Sequence, residues 1–253
     1  MTAATQPSAA NLTGFAARCE AATKIYGHGD TQVRALDNVS IGFNRGAFSA
    51  IMGPSGSGKS TLMHCMAGLD ELTSGTTYVG DVDLTRLSER QLTELRRDRI
   101  GFVFQAFNLV PTLNAIENIT LPLMLAGRKP DQGWLDGVIG AVGLADRLKH
   151  RPTELSGGQQ QRVAVARALA SRPEIIFADE PTGNLDSSAS AEILAFMRRA
   201  TEELGQTIVM VTHDPVAAGY SGRVVFLADG QAVGELAEPT PQLILDQMAR
   251  LRG

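Results

Sequence analysis

The sequence contains little cysteine and few aromatic residues. Only two of its 253 residues are cysteines, Cys19 and Cys65, and neither lies in a Cys-x-x-Cys or Cys/His spacing. This excludes the usual zinc-binding patterns and allows one disulfide at most, so we expect a reducing compartment, the cytoplasm. Aromatic residues make up 5% of the chain, too few for the stacking platforms that bind single-stranded nucleic acid.

Long hydrophobic runs are also missing. Apolar stretches such as residues 121–126 are short and are broken by proline, asparagine or charged residues, whereas a membrane-spanning helix needs about 20 apolar residues. We therefore expect no segment that crosses a bilayer. Residues 1–11 contain neither a basic residue nor an apolar run, the two parts of a secretory signal. We expect residues 1–13 to form a flexible tail.

Neither sign of charge dominates, whereas glycine is abundant. The 23 basic and 27 acidic residues give a net charge of -4 at pH 7. This balance argues against a broad basic face, so we expect no nucleic-acid partner. The 26 glycines suit tight loops that approach a ligand closely, and their positions become informative.

Short runs rich in β-branched residues alternate with helical patterns along the chain. The predicted strands are 48–52, 100–104, 175–178, 208–212 and 224–228, and the predicted helices are 59–67, 88–97, 159–170, 189–204 and 242–251. This alternation is typical of an α/β fold with a mostly parallel sheet. Residues 35–43 instead alternate apolar and polar, which predicts a half-exposed strand in a smaller antiparallel layer.

Between about residues 106 and 165 the strand signals give way to helical ones. Apolar residues recur there at helical spacing: Ile116, Ile119, Leu123, Leu135, Val138, Ile139 and Val142. We predict an inserted α-helical subdomain over about 106–165.

A glycine-rich segment follows the predicted strand 48–52. Its residues are Gly53, Pro54, Ser55, Gly56, Ser57, Gly58, Lys59 and Ser60. They match G-x-x-x-x-G-K-[ST], and a helical pattern follows, which is the context that this phosphate-binding motif requires. Lys59 would reach the β- and γ-phosphates of a nucleotide, and the Ser60 hydroxyl would ligate Mg²⁺. A flexible Gly/Ser turn is the alternative interpretation.

Two acidic residues, Asp179 and Glu180, follow the apolar run at 175–178. The carboxyl ends of parallel strands form the edge where open α/β sheets bind their ligands. Asp179 would hold Mg²⁺, and Glu180 would act as general base on the attacking water. Taken alone, the pair could equally be a solvated acidic turn.

The segment Leu155, Ser156, Gly157, Gly158, Gln159, Gln160, Gln161 and Arg162 resembles the signature motif of ATP-binding cassette proteins. Ser156 and the following glycine amides would start a helix and form a second anion site, although Ser is also a common helix cap. The resemblance implies that Ser156, Gly157, Gly158 and Gln159 contact the nucleotide held by a second copy.

Other motifs of this family occur in the expected order. By resemblance, Tyr26 stacks on adenine, Gln105 touches Mg²⁺ and water, and His213 contacts the γ-phosphate. Asp186, in the segment Asn184, Leu185 and Asp186, resembles a residue of the family that crosses the dimer interface, and it also suits a helix cap. Thr61 completes the implied ATP-binding set.

The resemblance implies a RecA-like P-loop NTPase core. Residues 14–237 would form one nucleotide-binding domain, and residues 238–253 a C-terminal helix. The implied activity is hydrolysis of ATP with Mg²⁺ by a head-to-tail dimer in which Lys59, Gln105, Glu180 and His213 serve catalysis.

Longer peptides, including residues 34–40, 101–109 and 177–186, look like the branch that includes macrolide-efflux, lipoprotein-release and cell-division ATPases. That branch implies a separate integral membrane permease of the macrolide-efflux or cell-division type. The chain would then lie peripherally on the inner face of the plasma membrane. Efflux and cell-envelope regulation both remain open, and a soluble scaffold or regulator without transport is the alternative.

Overall fold

The computed structural model describes residues 14–251, so the predicted tail at residues 1–13 lies outside the described residues. Its strands are β1 Phe15–Tyr26, β2 Val33–Asn44, β3 Phe48–Met52, β4 Ser74–Val79, β5 Val82–Asp83, β6 Ile100–Phe104, β7 Ile175–Asp179, β8 Ile208–Val211, β9 Arg223–Ala228 and β10 Gln231–Ala237. Its α-helices are α1 Lys59–Met66, α2 Glu89–Arg99, α3 Ala115–Leu125, α4 Gln132–Ala141, α5 Gly157–Ala170, α6 Ser187–Leu204, α7 Pro215–Ala218 and α8 Pro241–Arg250.

The central sheet has the order β10-β9-β3-β8-β7-β6. Strands β9, β3, β8, β7 and β6 run parallel, and β10 pairs antiparallel with β9. The parallel strands are continuous apolar runs because both faces of the sheet are covered. Along β3, Ala50 and Met52 join one hydrophobic cluster and Ile51 joins the other. The predicted α/β class with a mostly parallel sheet is confirmed.

A second, antiparallel sheet has the order β2-β1-β4-β5. In β2 the predicted inward positions Leu36, Val39, Ile41 and Phe43 are all buried, and the residues between them are at least partly exposed. These side chains pack with α1 and with one face of the central sheet in a shared cluster. The predicted antiparallel layer is therefore confirmed, and it covers α1 from the outside.

Helices α3 and α4 lie between β6 and α5 in the chain and pack against α5. Asn114 caps α3 and Asp131 caps α4. Six of the seven apolar positions that carried the helical prediction are buried, and Ile116 is partly buried against the same cluster. The indole Nε1 of Trp134 donates to the Leu169 carbonyl oxygen at 2.9 Å, which fixes α4 on α5.

Helix α8 begins after Thr240, which caps it, and Ile244 buries its side chain in the larger cluster. Among residues 14–251 no helix combines the length and the apolar character that crossing a membrane takes.

Candidate active site

Four parallel strands end at one edge of the central sheet. Gly53 follows β3, Gln105 follows β6 and Glu180 follows β7, while His213 lies two residues beyond β8. Because parallel strands end on the same side, the fold brings these four segments together from 160 residues of sequence. This edge is the candidate active site.

The loop between β3 and α1 requires glycine at two positions. At Gly53, where φ is 157°, a Cβ atom would lie 2.0 Å from the Leu227 carbonyl oxygen. At Gly58, where φ is 95°, a Cβ atom would lie 2.3 Å from the Ala35 carbonyl oxygen. Both contacts are with backbone that has little freedom to move. A flexible Gly/Ser turn would not need glycine at these two positions. The loop is therefore a tight backbone cradle.

Helix α1 differs from its neighbours at its N-terminus. Of the eight α-helices within residues 14–251, seven have a side chain that accepts a hydrogen bond from a first-turn amide, whereas α1 begins at Gly58 without one. The first intrahelical bond of α1 runs from Leu62 to the Gly58 carbonyl oxygen. The amides of Lys59, Ser60 and Thr61 thus have no intrahelical acceptor, and with the helix dipole they suit phosphate oxygens.

The Lys59 side chain curls over this loop. Its Nζ donates to the carbonyl oxygens of Gly53 at 3.0 Å and Pro54 at 2.7 Å. Burial lowers the pKa of Lys59, while the negative charges of Glu180 and Asp179 act in the opposite direction. A partly desolvated ammonium group whose hydrogen-bond partners are neutral carbonyl oxygens is suited to bind the negative charge of a polyphosphate.

Asp179 ends β7 beside the first turn of α1. Burial raises the pKa of Asp179, and the charge of His64 and a hydrogen bond from Ser60 oppose that shift. The Ser60 hydroxyl and the Asp179 carboxylate are the hard oxygen donors that Mg²⁺ prefers. No cluster of three His, Cys, Asp or Glu residues able to hold a metal occurs in the described part of the chain. The hydroxyl of Ser60 and the carboxylate of Asp179 fit a Mg²⁺ ion that takes its other ligands from water and nucleotide phosphates.

Both carboxylate oxygens of Glu180 have a partner. Oε1 lies 2.7 Å from Nδ1 of His213, and Oε2 accepts a hydrogen bond from the Thr212 hydroxyl at 3.2 Å. The Glu180 backbone has a φ of 46°, an uncommon value for a residue with a side chain, and its amide donates to the Val211 carbonyl oxygen. The end of β8 therefore holds the carboxylate in one orientation.

Gln105 makes a reciprocal pair with Asn184. The Gln105 amide donates to Asn184 Oδ1 at 3.1 Å, and Asn184 Nδ2 donates to the Gln105 carbonyl oxygen at 2.9 Å. A Cβ atom at Gly183 would lie 2.7 Å from Gln105 Nε2, so a side chain there would displace the Gln105 amide from this position. The structure thus places Gln105 against the turn that follows Glu180.

Two residues of α5, the buried Gln161 and the partly buried Arg167, hold the backbone on either side of Gln105. Gln161 donates to the Phe104 carbonyl oxygen at 3.4 Å and also to the Pro181 carbonyl oxygen. Arg167 donates to the carbonyl oxygens of Phe107 at 2.8 Å and Asn108 at 2.6 Å.

Sequence reasoning did not identify either of these residues as part of the site. Burial lowers the pKa of Arg167, whose guanidinium contacts backbone carbonyls. The turn that Arg167 holds is strained, with φ values of 54° at Phe107 and 51° at Asn108. Helix α5 therefore links the signature segment to the strand ends on both sides of Gln105.

The signature segment begins α5 at a separate cleft. The Ser156 hydroxyl accepts from the Gln159 amide at 3.3 Å, and Gln159 Oε1 accepts from the Ser156 amide at 3.0 Å, a capping box. Asp186 caps α6 through the Ala189 amide at 2.8 Å and lines the same cleft, which has a volume of about 440 Å³. No phosphate-loop residue lines the cleft. The two predicted anion sites, at the N-termini of α1 and α5, are therefore separate within one chain.

Tyr26 ends β1 with its side chain 42% exposed. Its hydroxyl donates to Asp70 at 2.6 Å, and Lys24 Nζ lies 4.8 Å from its ring centroid. The ring is thus a fixed, accessible aromatic surface near the α1 segment.

The cradle, the uncapped helix and the acidic pair at one sheet edge define a P-loop nucleotide hydrolase. Comparison with known proteins identifies the class more closely. Residues 36–183 match the model of the family described as ABC transporter.

Individual relatives agree with this match. The chain is 46% identical over 215 residues to the lipoprotein-releasing system ATP-binding protein LolD of Geobacter metallireducens, covering 84% of this chain and 96% of that protein. It is 45% identical over 207 residues to the macrolide export ATP-binding/permease protein MacB of Bdellovibrio bacteriovorus, covering 82% of this chain and 32% of that protein.

A solved structure agrees as well. The dimeric, post-hydrolysis state of the cassette MJ0796, bound to ADP and Pi, has a TM-score of 0.78 and 41% identity, covering 88% of this chain and 98% of that one. MJ0796 is from Methanocaldococcus jannaschii. The chain belongs to the ABC transporter family. It is an ATP-binding cassette and hydrolyses ATP.

Proposed function

We propose that this chain is the ATP-hydrolysing motor subunit of an ABC transporter and that two copies enclose two ATP molecules. We further propose that the dimer drives a separate membrane permease for export or mechanotransmission. The observation that carries this proposal is the presence, in one chain, of a phosphate loop with a lysine and a second anion cleft without one. Residues 14–237 form the cassette, with a helical subdomain at about 106–165. The C-terminal helix predicted within 238–253 corresponds to α8, Pro241–Arg250, and residues 252–253 lie outside the described residues.

The phosphates of ATP bind to the loop amides and the N-terminus of α1. Lys59 leaves its carbonyl partners to contact the β- and γ-phosphates, and the backbone from Gly53 to Thr61 wraps them. Ser60 and Asp179 would hold Mg²⁺, with Gln105 nearby, and the ion would neutralise charge that develops on the phosphates. Tyr26 stacks on the adenine.

Glu180 accepts a proton from the attacking water. The partners at both carboxylate oxygens keep the group oriented, and orientation is a large part of what a general base contributes. His213, 2.7 Å from Glu180, contacts the γ-phosphate and holds the carboxylate. Hydrolysis converts ATP into ADP and phosphate. The negative charge that both copies bind in ATP is then divided between two separate products.

The signature cleft binds the ATP of the other copy. Ser156, Gly157, Gly158 and Gln159 supply a helix N-terminus, and Asp186 lies at its rim. The dimeric state of MJ0796 with ADP and Pi, at 41% identity, supports this arrangement.

An apolar groove supports the permease assignment. It lies between α2, β6, α3 and α5 and has a volume of about 460 Å³. Its apolar lining residues include Ile100, Phe102, Phe104, Leu121, Pro122 and Leu125, and Arg96, Arg97 and Arg167 also line it. Two neighbouring apolar residues at this groove are exposed, Leu125 at 72% and Met124 at 59%. They form an apolar surface close to the turn at Phe107 and Asn108. We propose that a helix of the permease binds here, which places the chain at the inner face of the plasma membrane. The LolD and MacB relatives favour a permease of the lipoprotein-release or macrolide-export type.

Crosslinking in cells followed by purification from detergent-extracted membranes tests this function. We expect an integral membrane protein to copurify with the wild-type chain and to be lost with Leu125→Glu. Leu243→Glu is the matched control, because Leu243 is also exposed but lies on α8, outside the groove. Recovery of no membrane protein with the wild-type chain would favour a soluble scaffold. Equal recovery with both variants would show that the permease binds elsewhere than in this groove.

A further inference from the structure

One carboxylate holds both polar side chains around the Tyr26 ring. Asp70 Oδ2 accepts from the Tyr26 hydroxyl at 2.6 Å, and Asp70 Oδ1 accepts from Lys24 Nζ at 2.6 Å. Hydrogen bonds of this length to an ionised acceptor are among the stronger ones in proteins. Each oxygen therefore restrains a different side chain.

Lys24 also covers one face of the ring. Its Nζ lies 4.8 Å from the Tyr26 centroid and donates to the Glu71 carbonyl oxygen at 2.7 Å. A cation at this distance is attracted to the aromatic face. Because Lys24 occupies one face, a stacked base has the opposite face available to it.

Helix α1 connects this cluster to the phosphate loop. The amides of Leu69 and Asp70 both donate to the His64 carbonyl oxygen, at 2.8 and 3.3 Å, so Asp70 is tied to the end of the helix. Thr61, in the first turn, acts to lower the pKa of the Tyr26 hydroxyl, so the ring lies beside the start of the helix as well. The 8 residues of α1 span about 12 Å. One rigid helix thus sets the spacing between the phosphate loop and the ring.

The protonation states suit these contacts. Burial raises the pKa of Asp70, but hydrogen bonds from Lys24 and Tyr26 outweigh it and leave the pKa below its ordinary value. Burial and the Asp70 contact raise the pKa of Tyr26. At neutral pH, Asp70 is therefore an ionised acceptor and Tyr26 a neutral donor.

We propose that Asp70 is a positioning residue for base recognition, which holds the Tyr26 ring at a fixed distance from the phosphate loop. With Lys24 on one face, the ring receives the adenine on the other. This inference rests on the proposed role of Tyr26 as the adenine platform. It adds a specificity-determining residue that makes no contact with the nucleotide itself.

Calorimetric titration with two probes tests the proposal. ADP carries the base, and inorganic pyrophosphate carries only the phosphates, so both are measured with Mg²⁺. We expect Asp70→Asn to weaken ADP roughly fivefold to tenfold, about 1 to 1.4 kcal/mol, and to change pyrophosphate binding less than about twofold.

Tyr26→Phe removes the Tyr26–Asp70 hydrogen bond from the other side but leaves the Lys24–Asp70 ion pair, so it should weaken ADP in the same direction and by no more than Asp70→Asn does. The double variant should lose less than the sum of the two single losses, because both variants remove the Tyr26–Asp70 bond. Glu71→Gln is the matched control, since it removes the adjacent exposed carboxylate and should leave both affinities unchanged.

Three results overturn the proposal. Equal losses for ADP and pyrophosphate would mean that Asp70 supports the phosphate loop instead of the ring. An ADP affinity unchanged by Asp70→Asn but weakened by Tyr26→Ala would leave Tyr26 as the platform and remove Asp70 from its support. An ADP affinity unchanged by Tyr26→Ala would overturn both the platform role and the positioning role.

Discussion

Oε1 of Glu180 and Nδ1 of His213 are separated by 2.7 Å, and the bond joins the end of β7 to the loop after β8. If Glu180 is ionised, Nδ1 is the donor, and the other ring nitrogen takes no part in this contact. In the proposed mechanism the histidine therefore has two roles: Nδ1 orients the carboxylate, and the other ring nitrogen contacts the γ-phosphate. Loss of either contact is measurable separately.

His213→Ala should lower kcat about a hundredfold, a typical contribution of an acid–base group, because Glu180 loses the partner that orients it. ADP affinity should stay within about twofold, since ADP lacks the γ-phosphate. Steady-state phosphate release and ADP titration measure the two quantities. A kcat close to that of the wild type would remove His213 from the mechanism.

Gly58→Ala should abolish nucleotide binding, because its Cβ would meet the Ala35 carbonyl oxygen at 2.3 Å where φ is already 95°. Gly56→Ala is the matched control. Gly56 also has a positive φ, of 79°, but its Cβ would enter open space. We therefore expect Gly56→Ala to lower the free energy of unfolding by only about 1 kcal/mol, through backbone strain. Titration with ADP and thermal unfolding compare the two. Equal effects would contradict the steric argument.

Gln161→Leu should destabilise the fold by about 1 to 3 kcal/mol, because it leaves the Pro181 carbonyl without its donor and the Phe104 carbonyl with the Phe107 amide alone. These carbonyls lie on either side of the catalytic edge, so kcat should fall as well. Gln132→Leu removes an exposed Gln on α4 that bonds only to Asp136 and should cost less than about 0.5 kcal/mol. Urea unfolding separates the two variants, and equal midpoints would contradict the bridging role.

Cys19 and Cys65 should resist thiol reagents in the folded protein. Burial raises the pKa of each thiol to about 12, so below pH 9 almost no thiolate exists to react. We expect no labelling by iodoacetamide at pH 8 in native buffer and two labelled thiols in denaturant. Rapid native labelling would show that the cluster around α1 opens readily.

The parallel strands could be predicted because strands buried on both faces are continuous apolar runs, as in Ile208–Val211. Strand β1 could not be predicted from its sequence in this way. Its sequence contains alanine, glutamate and lysine, which are depleted in strands, and its pairing with β2 has several register shifts. Pairing with β2 and β4 forms this strand, and such tertiary contacts leave no local signal.

The candidate site shows a similar division. Lys59, Asp179 and Glu180 lie in local motifs, so their sequence context identifies them. Gln161 and Arg167 act on backbone carbonyls about 20 to 60 positions away, and a carbonyl has no sequence signature. Only the packing of α5 against β6 reveals their role.

The ATP-dependent dimer is the central claim, and light scattering of Glu180→Gln tests it most directly. This variant should bind ATP without hydrolysing it, so its mass should double from the 26.9 kDa of one chain with Mg²⁺-ATP and stay at 26.9 kDa with ADP. Adding Ser156→Arg should abolish the doubling, because the arginine would fill the cleft that receives the partner's ATP, while ADP affinity stays unchanged. A monomer in ATP, or a dimer that Ser156→Arg leaves intact, would contradict the account.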